Sequence, residues 1–140
     1  MGVTKAIPKV KVLMLASGGA QSRRTDLLLD SGAEFNYMSK ALARELNLHI
    51  LKEEKTVTTV TGETKSMGKV QARIHIKNRR IELEFLVVAT RRVETALGWP
   101  TMQTHVDILR CPGRKASKLC MFGINLQLGK SSQGTGNHLH

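Results

Sequence analysis

The stretch Leu27-Leu28-Leu29-Asp30-Ser31-Gly32-Ala33 is the most informative part of this chain of 140 residues. Three consecutive leucines are typical of a β-strand that is buried on both faces. We expect this strand to end abruptly at Asp30-Ser31-Gly32, because all three residue types favour turns. An aspartate directly after a buried strand is costly unless it is paired or functional. Asp30 is therefore either a carboxylate that caps the turn by accepting backbone N–H bonds, or a catalytic group.

The segments around this stretch also predict strands. Residues 10–16 predict one strand and residues 25–29 the next, with a hairpin turn at 17–21 that contains two adjacent glycines. Ser39 is a suitable N-cap for a short helix from residue 40 to about residue 48. The first third of the chain thus predicts two strands and one short helix.

The middle of the chain predicts two hairpins. A threonine-rich, β-prone segment at 56–61 precedes Gly62-Glu63, which favours a turn. Apolar and polar residues then alternate over 70–76 and again over 81–87, around a turn at 77–80. A period of two residues is typical of strands with one buried face, so this pair predicts a second hairpin.

The last third begins with Ala96-Leu97-Gly98-Trp99-Pro100, where Pro100 suits the first position of a short helix that extends to about His105. Residues 106–108 and 119–128 predict late strands. The whole chain is thus predicted to be all-β, that is, mainly β with one or two short helices. We expect an N-terminal extension at 1–9, one domain at 10–128, and a disordered tail at 129–140 that is rich in Gly, Ser and Asn.

Composition restricts the class of protein. Hydrophobic residues make up 41% and aromatic residues only 4%, so aliphatic side chains must form a single modest core. No apolar run approaches the roughly 20 residues that a membrane span needs, and the N-terminus carries no secretory signal. We therefore expect a cytoplasmic protein that does not associate with membranes. Cys111 and Cys120 are too few for a disulfide scaffold and lack zinc-site spacing, so we expect reduced thiols and no metal.

The net charge is +11, from 22 Lys and Arg against 11 Asp and Glu, and no acidic residue follows Asp107. A surplus of this size favours association with anionic partners such as nucleic acid. One interpretation is a solvated basic surface, because no basic helix or aromatic-interleaved stripe accompanies the charge. The other is weak contact with RNA, or with a polyprotein that is bound to nucleic acid. Both interpretations stay open.

The motif Asp30-Ser31-Gly32-Ala33, with Leu28-Leu29 before it, resembles the active-site motif of retropepsin-like aspartic proteases. The elements that follow also come in a similar order: a strand and short helix, a hairpin with a glycine near its tip at 60–64, two alternating strands, and Ala96-Leu97-Gly98 before a short helix. The local sequence at these motifs is more similar to that of proteases of long-terminal-repeat retrotransposons than to that of the compact lentiviral type. The resemblance covers about residues 10–108 and implies a closed acid-protease barrel that works as a homodimer.

The resemblance also implies a role for each residue of the motif. Asp30 would be the single catalytic carboxylate of a subunit, and Ser31, Gly32 and Ala33 would complete the active-site loop. The hydroxyl after the aspartate would brace the loop across the dimer, and the glycine would let the two backbones approach closely.

The same resemblance implies the groups that surround the loop. Residues 59–66 would form a mobile flap over the cleft. The implied substrate-binding residues are Glu34, Val60, Thr61, Gly62 and Glu63. Leu97 and Gly98 would pack against the catalytic loop.

The implied reaction is the cleavage of an extended peptide or polyprotein by a water molecule held between two aspartates, one from each subunit. It needs no metal, no cofactor and no covalent intermediate, and it suits a cytoplasmic setting that includes virus-like particles. Catalysis by a serine or a histidine is a weaker interpretation. The serines lack a Gly-x-Ser-x-Gly elbow, and the histidines stand singly. The serines and histidines considered are Ser22, Ser31, Ser39, His49, His75 and His105. Two alternatives from other classes are a domesticated, catalytically silent dimeric binding module and a basic protein that associates with nucleic acid.

Overall fold

The computed structural model of the chain describes residues 7–16, 19, 21–90, 92–109 and 117–128. Its strands are β1 (Lys9–Leu15), β2 (Ser22–Leu29), β3 (Tyr37–Ser39), β4 (Thr56–Thr59), β5 (Gly62–Lys65), β6 (Gly68–Ile76), β7 (Arg79–Val88), β8 (Thr95–Leu97), β9 (Val106–Leu109), β10 (Ser117–Met121) and β11 (Ile124–Leu128). The helices are α1 (Lys40–Glu45) and α2 (Trp99–His105). The predicted fold class, mainly β with one or two short helices, is confirmed. The predicted tail and Cys111 lie outside the described residues.

Six strands form a closed barrel in the order β1-β2-β8-β3-β7-β6, and β1 completes the circle by pairing with β6. The β2–β8 and β3–β7 pairs are parallel, and the other pairs of the barrel are antiparallel. Closure removes the exposed strand edges that an open sheet would present to other chains. Outside the barrel, β4 and β5 form a hairpin, and β9, β10 and β11 form a small antiparallel sheet. The predicted closed barrel is confirmed.

Aliphatic side chains dominate the core, as the composition predicts. The barrel interior holds residues such as Met14, Leu27, Ile74 and Leu97, with Phe85 as a fully buried aromatic ring. A second group, which we call the smaller cluster, lies where β2, β3, β7 and β8 meet the β4–β5 hairpin. Its buried members are Leu28, Ala33, Tyr37, Val57, Leu86, Val88 and Ala96.

The long β6–β7 hairpin follows the predicted alternation only in part. In β6, Val70 and every second residue after it are buried, as expected. In β7 the alternation ends at Phe85, and both faces are buried from there to Val88. The reason is tertiary, because β3 pairs alongside this end of β7 and the smaller cluster covers its second face. The turn is also shorter than the predicted 77–80: it is Lys77-Asn78, with Lys77 at a φ of 52°.

The helices differ from the prediction at one end each. Ser39 caps α1 as expected, since its Oγ accepts the Leu42 N–H at 3.1 Å. The helix ends earlier than residue 48, because Asn47 takes a left-handed φ of 56°. Helix α2 begins at Trp99, so Pro100 is its second residue and not its first. None of the helices within the described ranges is long and apolar enough to span a membrane.

The predicted late strand at 119–128 is in fact a hairpin. Strands β10 and β11 pair around a turn at Phe122-Gly123, where both residues have positive φ, 54° and 79°. Positive φ at both central residues gives the turn that best matches the twist of a two-residue hairpin. Phenylalanine rarely adopts this conformation, so the sequence carries a weak turn signal there. The Phe122 ring stacks on His105 with 4.9 Å between ring centroids, which holds the turn against α2.

Candidate active site

The Asp30 loop starts where β2 leaves the barrel. The backbone N–H of Asp30 donates to the Leu97 carbonyl at 2.9 Å, which continues the parallel pairing of Leu29 with Leu97 by one residue. The Ala33 N–H then donates to the Asp30 carbonyl at 3.1 Å and closes the turn. Asp30 is only 8% exposed, whereas Ser31 and Gly32 are exposed at the tip of the loop. The fold therefore offers one nearly buried carboxylate at the rim of an exposed loop.

Each oxygen of the Asp30 carboxylate accepts a hydrogen bond. Oδ1 accepts the Gly32 N–H at 3.1 Å, and Oδ2 accepts the Tyr37 hydroxyl at 3.1 Å. Hydrogen bonds to a charged group contribute about 1.5–3 kcal/mol each, which offsets part of the cost of burying the carboxylate. The interpretation of Asp30 as a turn cap is thus correct for one oxygen. The second oxygen, Oδ2, plays no part in capping the turn, because its partner is the hydroxyl of Tyr37 on β3.

Tyr37 is a site residue that the sequence analysis did not single out. It is the one tyrosine of the chain, it lies on β3, and its side chain is fully buried. Its hydroxyl also accepts the Val60 N–H at 3.4 Å. Burial raises the pKa of Tyr37 well above its usual value, and the neighbouring Asp30 charge adds to this shift, so the hydroxyl keeps its proton. A buried tyrosine hydroxyl generally needs a polar partner. The position of the single tyrosine, seven residues after the aspartate, was therefore the sequence signal that could have indicated this contact.

Leu97 and Gly98 lie against the back of the loop. The Gly98 N–H donates to Asn36 Oδ1 at 2.9 Å, and the next N–H, of Trp99, donates to the Ala33 carbonyl at 2.7 Å. A Cβ on Gly98 would lie 2.6 Å from the Phe35 carbonyl oxygen and 2.9 Å from that of Ala33. Such contacts are far closer than real Cβ atoms make. The position therefore requires glycine for the close approach of two backbones.

The β4–β5 hairpin reaches the site through its tip. The turn is at Val60-Thr61, not at the predicted Gly62-Glu63, and Gly62 opens β5 with a φ of 120° that only glycine adopts readily. Thr59 sets this turn, because its Oγ1 donates to the Gly62 carbonyl at 2.8 Å and accepts the Thr61 N–H at 3.2 Å. Val60, Thr61, Gly62 and Glu63 are all exposed.

The base of the same hairpin is pinned to the chain before it. Ser66 donates its hydroxyl to the Glu53 carbonyl at 2.7 Å, and its Oγ accepts the Lys55 N–H at 2.9 Å. Val57 is fully buried in the smaller cluster, beside Tyr37. The hairpin thus has an anchored base and an exposed tip, with a single backbone N–H directed at the Tyr37 hydroxyl.

Glu34 is exposed and lies beside the loop, away from the Asp30 carboxylate hydrogen bonds. It borders a small surface pocket of about 170 Å³ with Phe35, Lys55 and Glu84. The Lys55 ammonium sits 5.0 Å from the centroid of the Phe35 ring, which orders one wall of this pocket. Within the part of the chain that the structure describes, no cluster of His, Cys, Asp or Glu could hold a metal ion.

Residues 16–104 match the family described as "gag-polyprotein putative aspartyl protease". The chain belongs to this family. Two solved structures share its fold. The EIAV protease complexed with the inhibitor HBY-793 is 22% identical, with a TM-score of 0.54, and the match covers 73% of this chain and 93% of that one. The retroviral protease-like domain of Ddi1 from Leishmania major is 14% identical, with a TM-score of 0.60, and the match covers 91% of this chain and 99% of that one.

A search of the curated proteins finds no match to this chain. At these levels of identity the solved structures show the fold alone. Together with the family match, they confirm that the protein is retropepsin-like and has an aspartic-protease fold.

Proposed function

We propose that the protein is an aspartic endopeptidase that works as a homodimer, with Asp30 as the single catalytic carboxylate of each subunit. The observation that carries this proposal is the position of Asp30. It is a nearly buried carboxylate on an exposed loop, and the Tyr37 hydroxyl links it to the tip of the β4–β5 hairpin. Membership of an aspartyl protease family supports the same assignment.

The chemistry requires a second carboxylate. Among the described residues, the Asp30 carboxylate bonds to the Gly32 N–H and the Tyr37 hydroxyl, and no other carboxylate bonds to it. Two carboxylates about 3 Å apart cannot both ionise, so they share one proton. The ionised member takes a proton from a water molecule, and the protonated member polarises the scissile carbonyl. A second copy of the chain would supply the missing partner.

The exposed face around the loop supports this mode of assembly. Ser31 and Gly32 are exposed, and Trp99 beside Gly98 is 49% exposed. Among the residues that the structure describes, a Cβ on Gly32 would meet only Asp30 Oδ1, at an ordinary 3.5 Å. The described part of the subunit therefore gives no steric reason for glycine at the loop tip. Close approach of the same loop from a second copy gives one.

The substrate we propose is a peptide in extended form, and specifically a polyprotein segment. The β4–β5 hairpin would act as the flap that covers it, and strand-like hydrogen bonds to flap residues 60–63 would hold the peptide backbone. We assign Glu34 as a further contact to that backbone. The gag-polyprotein description of the family supports a polyprotein substrate. A cytoplasmic setting, including virus-like particles, stays a prediction. Weak association with nucleic acid through the basic surface stays a prediction.

The test is cleavage of an extended-peptide library by wild-type protein and by Asp30→Asn. We expect the Asn variant to keep its fold and lose proteolysis, because an amide can neither share the proton nor activate water. Asp26→Asn is the matched control: Asp26 lies on β2, the strand that leads to Asp30, and is ion-paired to Lys11 at 2.7 Å with its side chain 46% exposed, so activity should persist. Cleavage by Asp30→Asn above a trace rate would show the assignment to be wrong. Peptide binding without cleavage by the wild-type dimer would identify the silent binding module instead.

A further inference from the structure

The Tyr37 hydroxyl lies between the Asp30 carboxylate and the tip of the β4–β5 hairpin. It donates to Asp30 Oδ2 at 3.1 Å and accepts the Val60 N–H at 3.4 Å. One hydroxyl has one proton and two lone pairs, so it can make both bonds at once. The result is a short chain of hydrogen bonds from the flap backbone to the carboxylate.

We propose that Tyr37 is a positioning residue that fixes Oδ2 of Asp30 and ties the flap tip to the Asp30 of the same subunit. This role rests on the proposed function, since it concerns the geometry of the catalytic carboxylate. It assigns a use to a buried side chain that the two-carboxylate mechanism by itself does not need.

The backbone around Tyr37 holds the hydroxyl in place. Tyr37 pairs with Leu86 on one side and Ala96 on the other, so β3 is enclosed between two barrel strands. The ring is fully buried in the smaller cluster. A hydroxyl on a rigid ring with a fixed backbone presents its proton to Oδ2 in a single geometry, which is what an ordered catalytic group requires.

The two bonds of the hydroxyl differ in strength. The bond to Asp30 is made to an ionisable acceptor, and charge-assisted bonds are roughly twice as strong as neutral ones. The bond from Val60 is longer, is made between neutral groups, and lies at a residue that is 39% exposed. The flap tip can therefore separate from Tyr37 to admit a peptide while the carboxylate stays held.

The same chain of bonds couples the flap to the state of Asp30. A hydroxyl that donates to a carboxylate becomes a better acceptor, so the Val60 bond is strongest while Oδ2 carries no proton. The raised pKa of Tyr37 keeps its proton on the oxygen and preserves this direction of donation. Since two carboxylates that share one proton are unequal at any moment, the two flaps of the proposed dimer would be held unequally.

Steady-state kinetics of Tyr37→Phe give the first test. Phenylalanine keeps the buried ring and removes only the hydroxyl. We expect kcat to fall on the order of tenfold and KM to change little, because the hydroxyl bonds to Asp30 and not to the peptide. Thr95→Val is the matched control, since it removes a buried hydroxyl that bonds the Tyr37 backbone without reaching the carboxylate. It should leave kcat unchanged. Equal kcat in Tyr37→Phe and wild type would overturn the proposal.

Two further measurements do not depend on proteolysis. Because the chain has a single tyrosine, ¹³Cζ labelling gives one NMR signal. We expect that signal to move in Asp30→Asn and to stay in place in Asp26→Asn. The Val60 amide should exchange with solvent about tenfold faster in Tyr37→Phe, and at the wild-type rate in Thr95→Val. If the tyrosine signal does not move in Asp30→Asn, or if the Val60 amide exchanges at the wild-type rate in Tyr37→Phe, the proposed role of Tyr37 is wrong. If the wild-type protein cleaves nothing but both signals respond, the proposed function fails and the coupling stands.

Discussion

At the scale of single residues, two glycines of the site face different constraints. Gly98 has an ordinary φ of −90°, so its requirement is purely steric and comes from the carbonyl groups of Ala33 and Phe35. Gly32 has no such neighbour among the described residues. The first glycine therefore serves the fold of the subunit, and we assign the second to contact between subunits.

This difference predicts that alanine at position 98 lowers folding stability, whereas alanine at position 32 weakens association between subunits. Gly98→Ala should lower the free energy of unfolding by about 1–3 kcal/mol, because the loop carrying Asp30 must shift to admit the methyl group. Gly32→Ala should associate more weakly, but below the dimer dissociation constant it should unfold at nearly the same urea concentration as the wild-type monomer. Urea unfolding of each variant and sedimentation of the folded proteins measure the two effects. Equal stability of Gly98→Ala and wild type would contradict the close approach seen at this position.

At the scale of elements, the β4–β5 hairpin combines an anchored base with a weakly held tip. Ser66 makes the anchor, because it is buried and bonds both Glu53 and Lys55. The tip touches the site by one long hydrogen bond from Val60. An element of this kind can move at its tip without separating from the barrel, which is the behaviour that a flap needs.

Removing the anchor should loosen the whole hairpin. In Ser66→Ala the Glu53 carbonyl and the Lys55 N–H lose their partner, at a cost of about 1–3 kcal/mol. We expect faster hydrogen exchange throughout residues 56–65 and a higher KM, with β6 and β7 unaffected. Thr58→Ala is the control, since Thr58 is exposed on the same hairpin. Uniform exchange rates in Ser66→Ala and wild type would argue against an anchor at this residue.

At the scale of the whole molecule, the proposed active site belongs to two subunits. Each chain contributes one Asp30, so a mixed dimer of wild-type and Asp30→Asn chains holds one carboxylate and one amide. We expect a large excess of the Asn variant to suppress wild-type activity far below simple dilution, once the subunits have exchanged. Specific activity should also fall when total protein drops below the dimer dissociation constant.

Excess Asp26→Asn serves as the control for this mixing experiment. Its chains carry an intact Asp30 loop, so mixed dimers should remain active. Sedimentation in parallel establishes which species is present at each concentration. A wild-type chain that stays monomeric with peptide bound and cleaves at full rate would exclude a site shared between subunits.

Much of the fold follows from short-range patterns in the sequence. The alternation of β6, the N-cap at Ser39 and the turn at Asp30-Ser31-Gly32 are all found where they were predicted. In each case the partners are neighbours in the chain: Leu42 N bonds Ser39 Oγ, and Gly32 N bonds Asp30 Oδ1. Local hydrogen bonding and side-chain periodicity are properties of the sequence itself, so they can be deduced without coordinates.

The remaining features depend on segments that are distant in the chain. The buried outer face of β7 requires β3 beside it, and the need for glycine at position 98 comes from the carbonyl of Phe35. The link from Val60 through Tyr37 to Asp30 joins a hairpin, a barrel strand and a loop. These contacts depend on strand order and register, and a shift of one residue in register would turn the Tyr37 side chain to the opposite face. The sequence by itself therefore points to Asp30 as the candidate site residue, whereas the closed barrel establishes which side chains surround it.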